Sequence, residues 1–219
     1  RVINYAYTDF VPVAPKKQFI FLVAILAGLL IPFGVLYLLK LIDTKIHTRE
    51  ELEKLIPNMD IMGEVPFVED MQSITDSRGI FAESSRVIRS NISFKLNRDQ
   101  TNVILCTSSI KGEGKTLTAF NTAASYVATG KKVLLVGADL RNPQLHSLIN
   151  LDRKSNLKGL STLIANASLE VSKDVIVTLD LFNNQLDILL SGPIPPNPAE
   201  LLNSKFFLNL LADLKKSYD

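Results

Sequence analysis

The sequence lacks an excess of either charge: 24 basic residues stand against 22 acidic ones, a formal net charge of +2. A dedicated nucleic-acid binder carries a strong basic surplus, so that class is excluded and no nucleic-acid partner is expected. Cysteine is nearly absent as well. The single thiol, Cys106, cannot close a disulfide within the chain, and in the apolar run at 103–106 it reads as a small buried residue. Between residues 19 and 39 charge is lacking altogether.

That uncharged run, "FIFLVAILAGLLIPFGVLYLL", has Leu, Ile, Val or Phe at fifteen positions. As a helix it is about 31 Å long, at roughly 1.5 Å per residue, which matches a hydrocarbon core. Those fifteen residues favour insertion by on the order of 5–9 kcal/mol, an upper bound because edge positions count for less. Pro32 and the glycines subtract from this but are tolerated inside a bilayer. A core helix so uniformly apolar is rare, and a signal peptide is shorter and needs a cleavage site. A transmembrane helix over 18–40 is therefore expected. Lys16 and Lys17 flank one end, while Lys40, Lys45, Arg49 and Lys54 follow the other. The count slightly favours a cytoplasmic C-terminal side.

The 219 residues have room for one α/β domain of ordinary size plus something smaller. The chain opens without Met, in "RVINYAYTDFVPVAPKK", and closes in "LADLKKSYD", a helix end with no strand after it. It is read as a fragment cut at both ends. After the span, Thr48 and Glu51 form a capping box, so a helix should run from Arg49 to about Ile56 and stop at Pro57. "IMGEVP" reads as an extended piece and residues 67–80 as a linker. "FAESSRVIRSNISFKL" places Phe81, Val87, Ile88, Ile92 and Leu96 at helical spacing, as an amphipathic helix.

From Asn102 the pattern changes. "NVILCT" reads as a short apolar strand, "LTAFNTAASYVAT" as a helix stopped by Gly130, and "KVLLVGAD" as a second buried strand. "RNPQLHSLI" follows as a loop and short helix, and "GLSTLIAN" as another. "DVIVTLD" and "LDILLSG" are strand candidates around the turn "LFNNQ". The end, "GPIPPNPAELLNSKFFLNLLADLKK", gives a proline-rich loop and a helix with Asn197 as N-cap, Pro198 first and Glu200 closing the box. Strands alternating with helices predict a doubly wound, mostly parallel α/β sheet.

Between "NVILCT" and "LTAFNTAAS" stands "TSSIKGEGKT", residues 107–116. It ends as a phosphate-binding loop does, although Ser109 occupies the place of the motif's first glycine. A phosphate loop must lie between a buried strand and a helix, so that amides and the helix N-terminus converge on the anion. Gly112 and Gly114 let the backbone approach without a Cβ in the way. Lys115 can reach the terminal phosphates of ATP, and the Thr116 hydroxyl can ligate Mg²⁺. Lys111, Glu113 and Leu117 complete the set of nucleotide-binding candidates. Asp139 ends the second strand, where α/β sheets bind their ligands. It can hold Mg²⁺ through water, accept the proton of an attacking hydroxyl, or merely cap the next helix. Arg141 can contact phosphate or pair with an acid. A nucleotide site here puts the C-terminal side of the span in the cytosol.

These motifs together resemble the bacterial tyrosine kinases fused to polysaccharide co-polymerases, the BY-kinases. The span followed by "LIDTKIHTREELEKL…IMGEVP" is similar to that family's second membrane helix and juxtamembrane segment. "KGEGKT" resembles its Walker A loop, and "SGPIPPNPAELL" a proline-rich loop and helix typical of it. "VLLVGADLRNPQLH" resembles the Walker A′ strand, usually Asp-x-Asp-x-Arg, with Gly137 in place of the first aspartate. "ESSRVIRSN" supplies Glu83, Arg86 and Arg89 as E-x-x-R-x-x-R, which in the family joins subunits into a ring. Independently, their steps of three put these residues on one helical face, opposite Val87, Ile88 and Ile92.

The resemblance implies a P-loop tyrosine autokinase using ATP and Mg²⁺, with Lys115, Asp139 and Arg141 catalytic and Thr116 and Asp139 at the metal. It implies a homo-oligomeric ring in the inner membrane, polysaccharide export or polymerisation machinery as a partner, and a cognate tyrosine phosphatase. The expected division is 1–17 as the end of a periplasmic region, 18–40 as the span, 41–80 as juxtamembrane segment and linker, and 81–219 as the first part of the kinase domain. The Walker B strand is expected beyond "KKSYD", with a tyrosine tail after it. Two other functions fit parts of the sequence. Lys111 resembles the signature lysine of partition-type positioning ATPases, which lack a membrane span. A chain-length regulator with a non-catalytic nucleotide scaffold is the other.

Overall fold

The computed structural model describes residues 16–67, 79–97, 100–149, 151, 158–167 and 175–219. The expected periplasmic end falls almost wholly outside them, as does most of the linker at 67–80. The chain divides into two units, Arg1–Asp60 and Ile61–Asp219.

The first unit holds helices α1 (Lys17–Ile42) and α2 (Arg49–Leu55). No residue of α1 is buried, and its mean hydropathy is 2.8 over the most apolar window. It is long and apolar enough to cross a membrane, and its apolar side chains point outward on every side, as they do where lipid is the solvent. At α2 the Thr48 hydroxyl accepts from the Glu51 amide at 3.3 Å. The Glu51 carboxylate accepts from the amide of His47 at 3.0 Å, one residue before the expected cap.

The second unit contains α3 (Ile80–Ser93), α4 (Lys115–Val127), β1 (Val133–Val136), α5 (Leu145–Leu148) and α6 (Leu160–Ala165). After these come β2 (Ile176–Leu181), β3 (Asn184–Leu189), α7 (Pro198–Leu202) and α8 (Lys205–Leu214). The strands form a sheet in the order β1-β3-β2, with β1 parallel and β2 antiparallel to β3. The β2–β3 turn has Phe182 at φ 53° and Asn183 at φ 64°. Two consecutive left-handed residues suit the tight hairpin that the polar turn predicts.

Alternation along β3 serves both faces of the sheet. Leu186, Ile188 and Leu190 join Phe120 and Val127 of α4 in one core cluster. Leu189 joins Leu160 and Leu163 of α6 and Leu210 of α8 in the other. Helices thus cover both faces, the layering expected of a doubly wound sheet. Leu186 is fully buried at the centre of the sheet. Leu186→Ala should lower unfolding free energy by about 2–5 kcal/mol through lost burial and the remaining cavity, measured by denaturant titration.

Four local expectations are corrected. The run at 103–106 is extended but not hydrogen-bonded into the sheet, and Val103, Ile104 and Leu105 are 62, 47 and 83% exposed. A strand needs a ladder partner, and a cleft of about 1580 Å³ borders both this run and β1. The same cleft leaves Cys106 half-buried rather than buried. The expected C-terminal helix is two helices, because Ser204 caps α8 by accepting from the Phe207 amide at 3.2 Å. Asn197 does not cap α7 with its oxygen; its side-chain amide donates to Glu200 Oε2 at 2.8 Å.

Candidate active site at the phosphate loop

The loop from residue 107 leads into α4 through Gly114, whose φ of 85° lies in the left-handed region, as does the 96° of Gly112. These two positions favour glycine for backbone reasons alone. Ser109 needs no such freedom, since it is not among the residues of positive φ. Its amide and that of Ile110 donate to the Glu113 carboxylate at 2.8 and 3.2 Å, which braces the loop entrance. The first intrahelical amide bond of α4 is Thr118 N to Gly114 O, at 2.8 Å. The amides of Lys115, Thr116 and Leu117 therefore lie at the open end of the helix, where anions are favoured.

Lys115 and Asp139 meet at the mouth of this loop. The Lys115 ammonium donates to Asp139 Oδ2 at 2.7 Å, and each side chain is about one-third exposed, at 33 and 35%. The other carboxylate oxygen accepts from the amides of Asn142 at 3.0 Å and Arg141 at 3.3 Å. Burial alone pushes the Asp139 carboxyl up, but the Lys115 hydrogen bond, the Asn142 amide, the lysine charge and the Arg141 amide outweigh it. The group is held below the ordinary aspartate value. Asp139 does not cap the next helix, α5, whose N-cap is Gln144; it braces the turn at 139–142 while facing the phosphate loop. Lys111 and Arg141 are exposed, and neither side chain has a hydrogen bond or ion pair among the described residues.

A divalent cation fits this donor set. Mg²⁺ usually takes one or two protein groups and fills its shell with phosphate oxygens and water. Thr116 and Asp139 would hold it here, and its chemistry would be to neutralise charge on the transferring phosphate. No cluster of three or more His, Cys, Asp or Glu exists among the described residues, so the protein alone offers no complete cage. Gly137 adds no ligand. A Cβ there would lie 2.8 Å from Ser191 Oγ and 3.0 Å from its amide nitrogen, so the strand end is closed against it.

The three charged residues of α3 are not equivalent. Glu83 and Arg86 are exposed and form an ion pair with each other. Arg89 is half-buried, with its Nε buried and without a hydrogen-bond partner among the described residues. The Tyr126 hydroxyl of α4 donates to the Arg89 carbonyl at 3.3 Å. Phe81, Ser85 and Ile88 make the buried face, while Val87 is 47% exposed, contrary to its expected place in the apolar stripe. Sequence reading also missed Asn91 and Tyr126. Their partners lie 29 and 37 positions away, and nothing local signals such contacts.

No family profile matches the chain. It is 40% identical over 148 residues to the tyrosine-protein kinase YwqD of Bacillus subtilis, covering 67% of this chain and 59% of that protein. A putative tyrosine-protein kinase in the cps region of Klebsiella pneumoniae is 29% identical over 239 residues, covering all of this chain and 32% of its own length. The chain therefore spans about three-fifths of the first relative and a third of the second. Among solved structures, the chimerical protein CapA2B2 is 36% identical with a TM-score of 0.67, over 78% of this chain and 72% of that one. At that identity, over that share of a solved relative, and with kinases among its sequence relatives, the chain belongs to the bacterial tyrosine kinases.

Proposed function

We propose that the chain is the membrane-proximal part of an ATP- and Mg²⁺-dependent protein-tyrosine autokinase that regulates polysaccharide biosynthesis and export. The observation that carries this is the convergence of Lys115, Asp139 and the open helix end of α4 on one point. The kinase names of the relatives support the reaction, and the cps region in one of those names supports the polysaccharide role. Lys115 binds and neutralises the terminal phosphates, the α4 amides orient them, and Asp139 serves the metal or the incoming tyrosine hydroxyl. In this reading α1 anchors the domain in the inner membrane, with residues 41–219 cytoplasmic.

The domain division belongs to the same proposal, with a Walker B strand following Asp219. The Asp219 amide donates to the Lys132 carbonyl at 2.9 Å, and the Asp219 carbonyl accepts from the Asn102 amide at 3.1 Å. One residue thus bridges the starts of β1 and the extended 103–106 run. A parallel strand continuing from it would pair with both walls of the cleft and cover Val103, Ile104 and Leu105.

The experiment is incubation of the complete membrane protein with ATP, with and without Mg²⁺. Phosphotyrosine should accumulate only with the metal and vanish with EDTA. ATP hydrolysis without phosphotyrosine would return the partition-type reading, and nucleotide binding without either would return the scaffold.

A homo-oligomeric ring contacting export machinery, with a phosphatase opposing it, completes the proposal. Replacing Glu83, Arg86 and Arg89 together by Ala leaves Phe81, Ser85 and Ile88 on the buried face of α3 untouched. The expected outcome is a shift toward monomer in sedimentation and loss of phosphorylation between subunits, with ATP binding retained. Normal assembly and phosphorylation would remove the ring contact from these positions.

A further inference from the structure

Among the described residues five polar side chains are buried: Ser85, Asn121, Ser125, Ser161 and Ser191. Four of them are satisfied. The Ser85 hydroxyl donates to the Phe81 carbonyl at 2.9 Å, that of Ser125 to Thr122 at 2.7 Å, and that of Ser161 to Pro193 at 2.7 Å. The Asn121 amide donates to the Leu117 carbonyl at 2.9 Å. Ser191 is the most buried of the five, at 3% exposed, yet its hydroxyl has no hydrogen-bond partner among the described residues. Its main chain is engaged, since the Ser191 carbonyl accepts from the Ser161 amide at 3.0 Å. Leaving a buried hydroxyl unpaired is costly, so the exception calls for a group that supplies the missing bond.

Ser191 stands at the carboxyl edge of the sheet. Strands β1 and β3 are parallel, and the Gly137 amide donates to the Leu189 carbonyl at 2.8 Å, so the segments leaving the two strands emerge side by side. Gly137 and Asp139 lie on the first segment and Ser191 on the second. Ligands of α/β sheets bind along this edge. Ser191 lines the same cleft as Lys115, Thr116, Gly137 and Asp139. A Cβ at 137 would fall 2.8 Å from its Oγ, so the glycine leaves the hydroxyl uncovered on the side of β1. Thr116 and Asp139 are the two candidate ligands for Mg²⁺ here. A cation held by so few protein groups keeps several waters, and those waters need hydrogen-bond partners of their own.

We propose that Ser191 is a positioning residue for the divalent cation, its hydroxyl accepting a hydrogen bond from a water of the Mg²⁺ shell on the side where Gly137 offers no group. The inference rests on the reading of residues 107–117 and Asp139 as a nucleotide and Mg²⁺ site. A neutral hydroxyl brings no charge, so it orders a water and leaves direct ligation to Thr116 and Asp139. It acts on metal affinity alone. The contacts of metal-free nucleotide, which Lys115 and the α4 amides make, do not involve it.

The test compares Ser191→Ala and Ser191→Cys with the unsubstituted complete protein in detergent. Binding of Mn²⁺, in place of Mg²⁺, is followed by electron paramagnetic resonance in the presence of a non-hydrolysable ATP analogue. Affinity for the analogue is measured separately in EDTA. Both variants should hold Mn²⁺ about tenfold more weakly, the low end for losing a group behind a metal's ligands, with affinity in EDTA unchanged. Cysteine keeps a side chain of similar shape but is a weak hydrogen-bond partner, so a packing role would leave Ser191→Cys like the parent. The melting temperature of Ser191→Ala should not fall, because no described group loses a partner. Should it fall, Ser191→Cys carries the comparison alone. Unchanged Mn²⁺ affinity in Ser191→Cys, or equal losses with metal and in EDTA, would overturn the proposal. If the unsubstituted protein binds the analogue neither with Mn²⁺ nor in EDTA, the nucleotide site itself fails and the inference falls with it.

Discussion

Lys115→Met should reduce phosphotyrosine formation by the complete protein by at least roughly a hundredfold, the loss typical of removing one preorganised donor from a charge-stabilising site. The substitution keeps most of the unbranched side chain and deletes its charge. In the structure that charge rests on Asp139, 2.7 Å away. With nucleotide bound, the same ammonium is within reach of the terminal phosphates, where negative charge spreads over the transferring group. Folding should be nearly untouched, because a pair this exposed contributes at most about 1 kcal/mol. A phosphotyrosine blot and a thermal melt on the same preparation separate the two effects. Undiminished phosphotyrosine with a normal melt would sink the kinase assignment of this loop.

Asp139→Asn should have the second largest effect, and it should divide binding from chemistry. The carboxylate is held ionised by Lys115 and by two backbone amides, against the upward pull of burial. Asparagine preserves an acceptor for the amides but carries no charge for a metal and no base for a tyrosine hydroxyl. Phosphorylation should therefore fall nearly completely, since Gly137 supplies no second carboxylate. ATP binding without metal should hold or improve, because Lys115 is released from its present partner. Equal, small losses in both would leave Asp139 with only its bracing of the turn at 139–142.

The sign of the pH dependence follows from the direction of the shift. A carboxyl lowered in the folded state adds stability that is fully present above its unfolded value, near 3.9. That stability is lost as pH falls through the lowered folded value. Acid unfolding of the wild type should accordingly be steeper below pH 4 than that of Asp139→Asn, by a margin that solvent exposure keeps small.

Much of this was legible in the sequence because it depends on local chemistry. The span is a matter of composition, since residues 19–39 contain no charge. Gly112 and Gly114 marked a loop where the backbone is left open, ahead of a helix beginning at Lys115, and the β2–β3 hairpin followed from a polar turn between two apolar runs. What sequence could not decide was every feature set by distant partners. Val103, Ile104 and Leu105 have the character of a buried strand, but pairing needs a neighbour, and the described residues place none beside them. Periodicity put Glu83, Arg86 and Arg89 on one face, yet in the folded structure the Nε of Arg89 is buried while Val87 is exposed. Asp139 read as metal ligand, base or cap; only its distances to Lys115, Arg141 and Asn142 show one carboxylate meeting the lysine and capping the turn at once. Residue type and spacing determine which groups a short segment offers. Which group each one meets is decided by contacts between segments far apart in the chain, and those exist only in the folded structure.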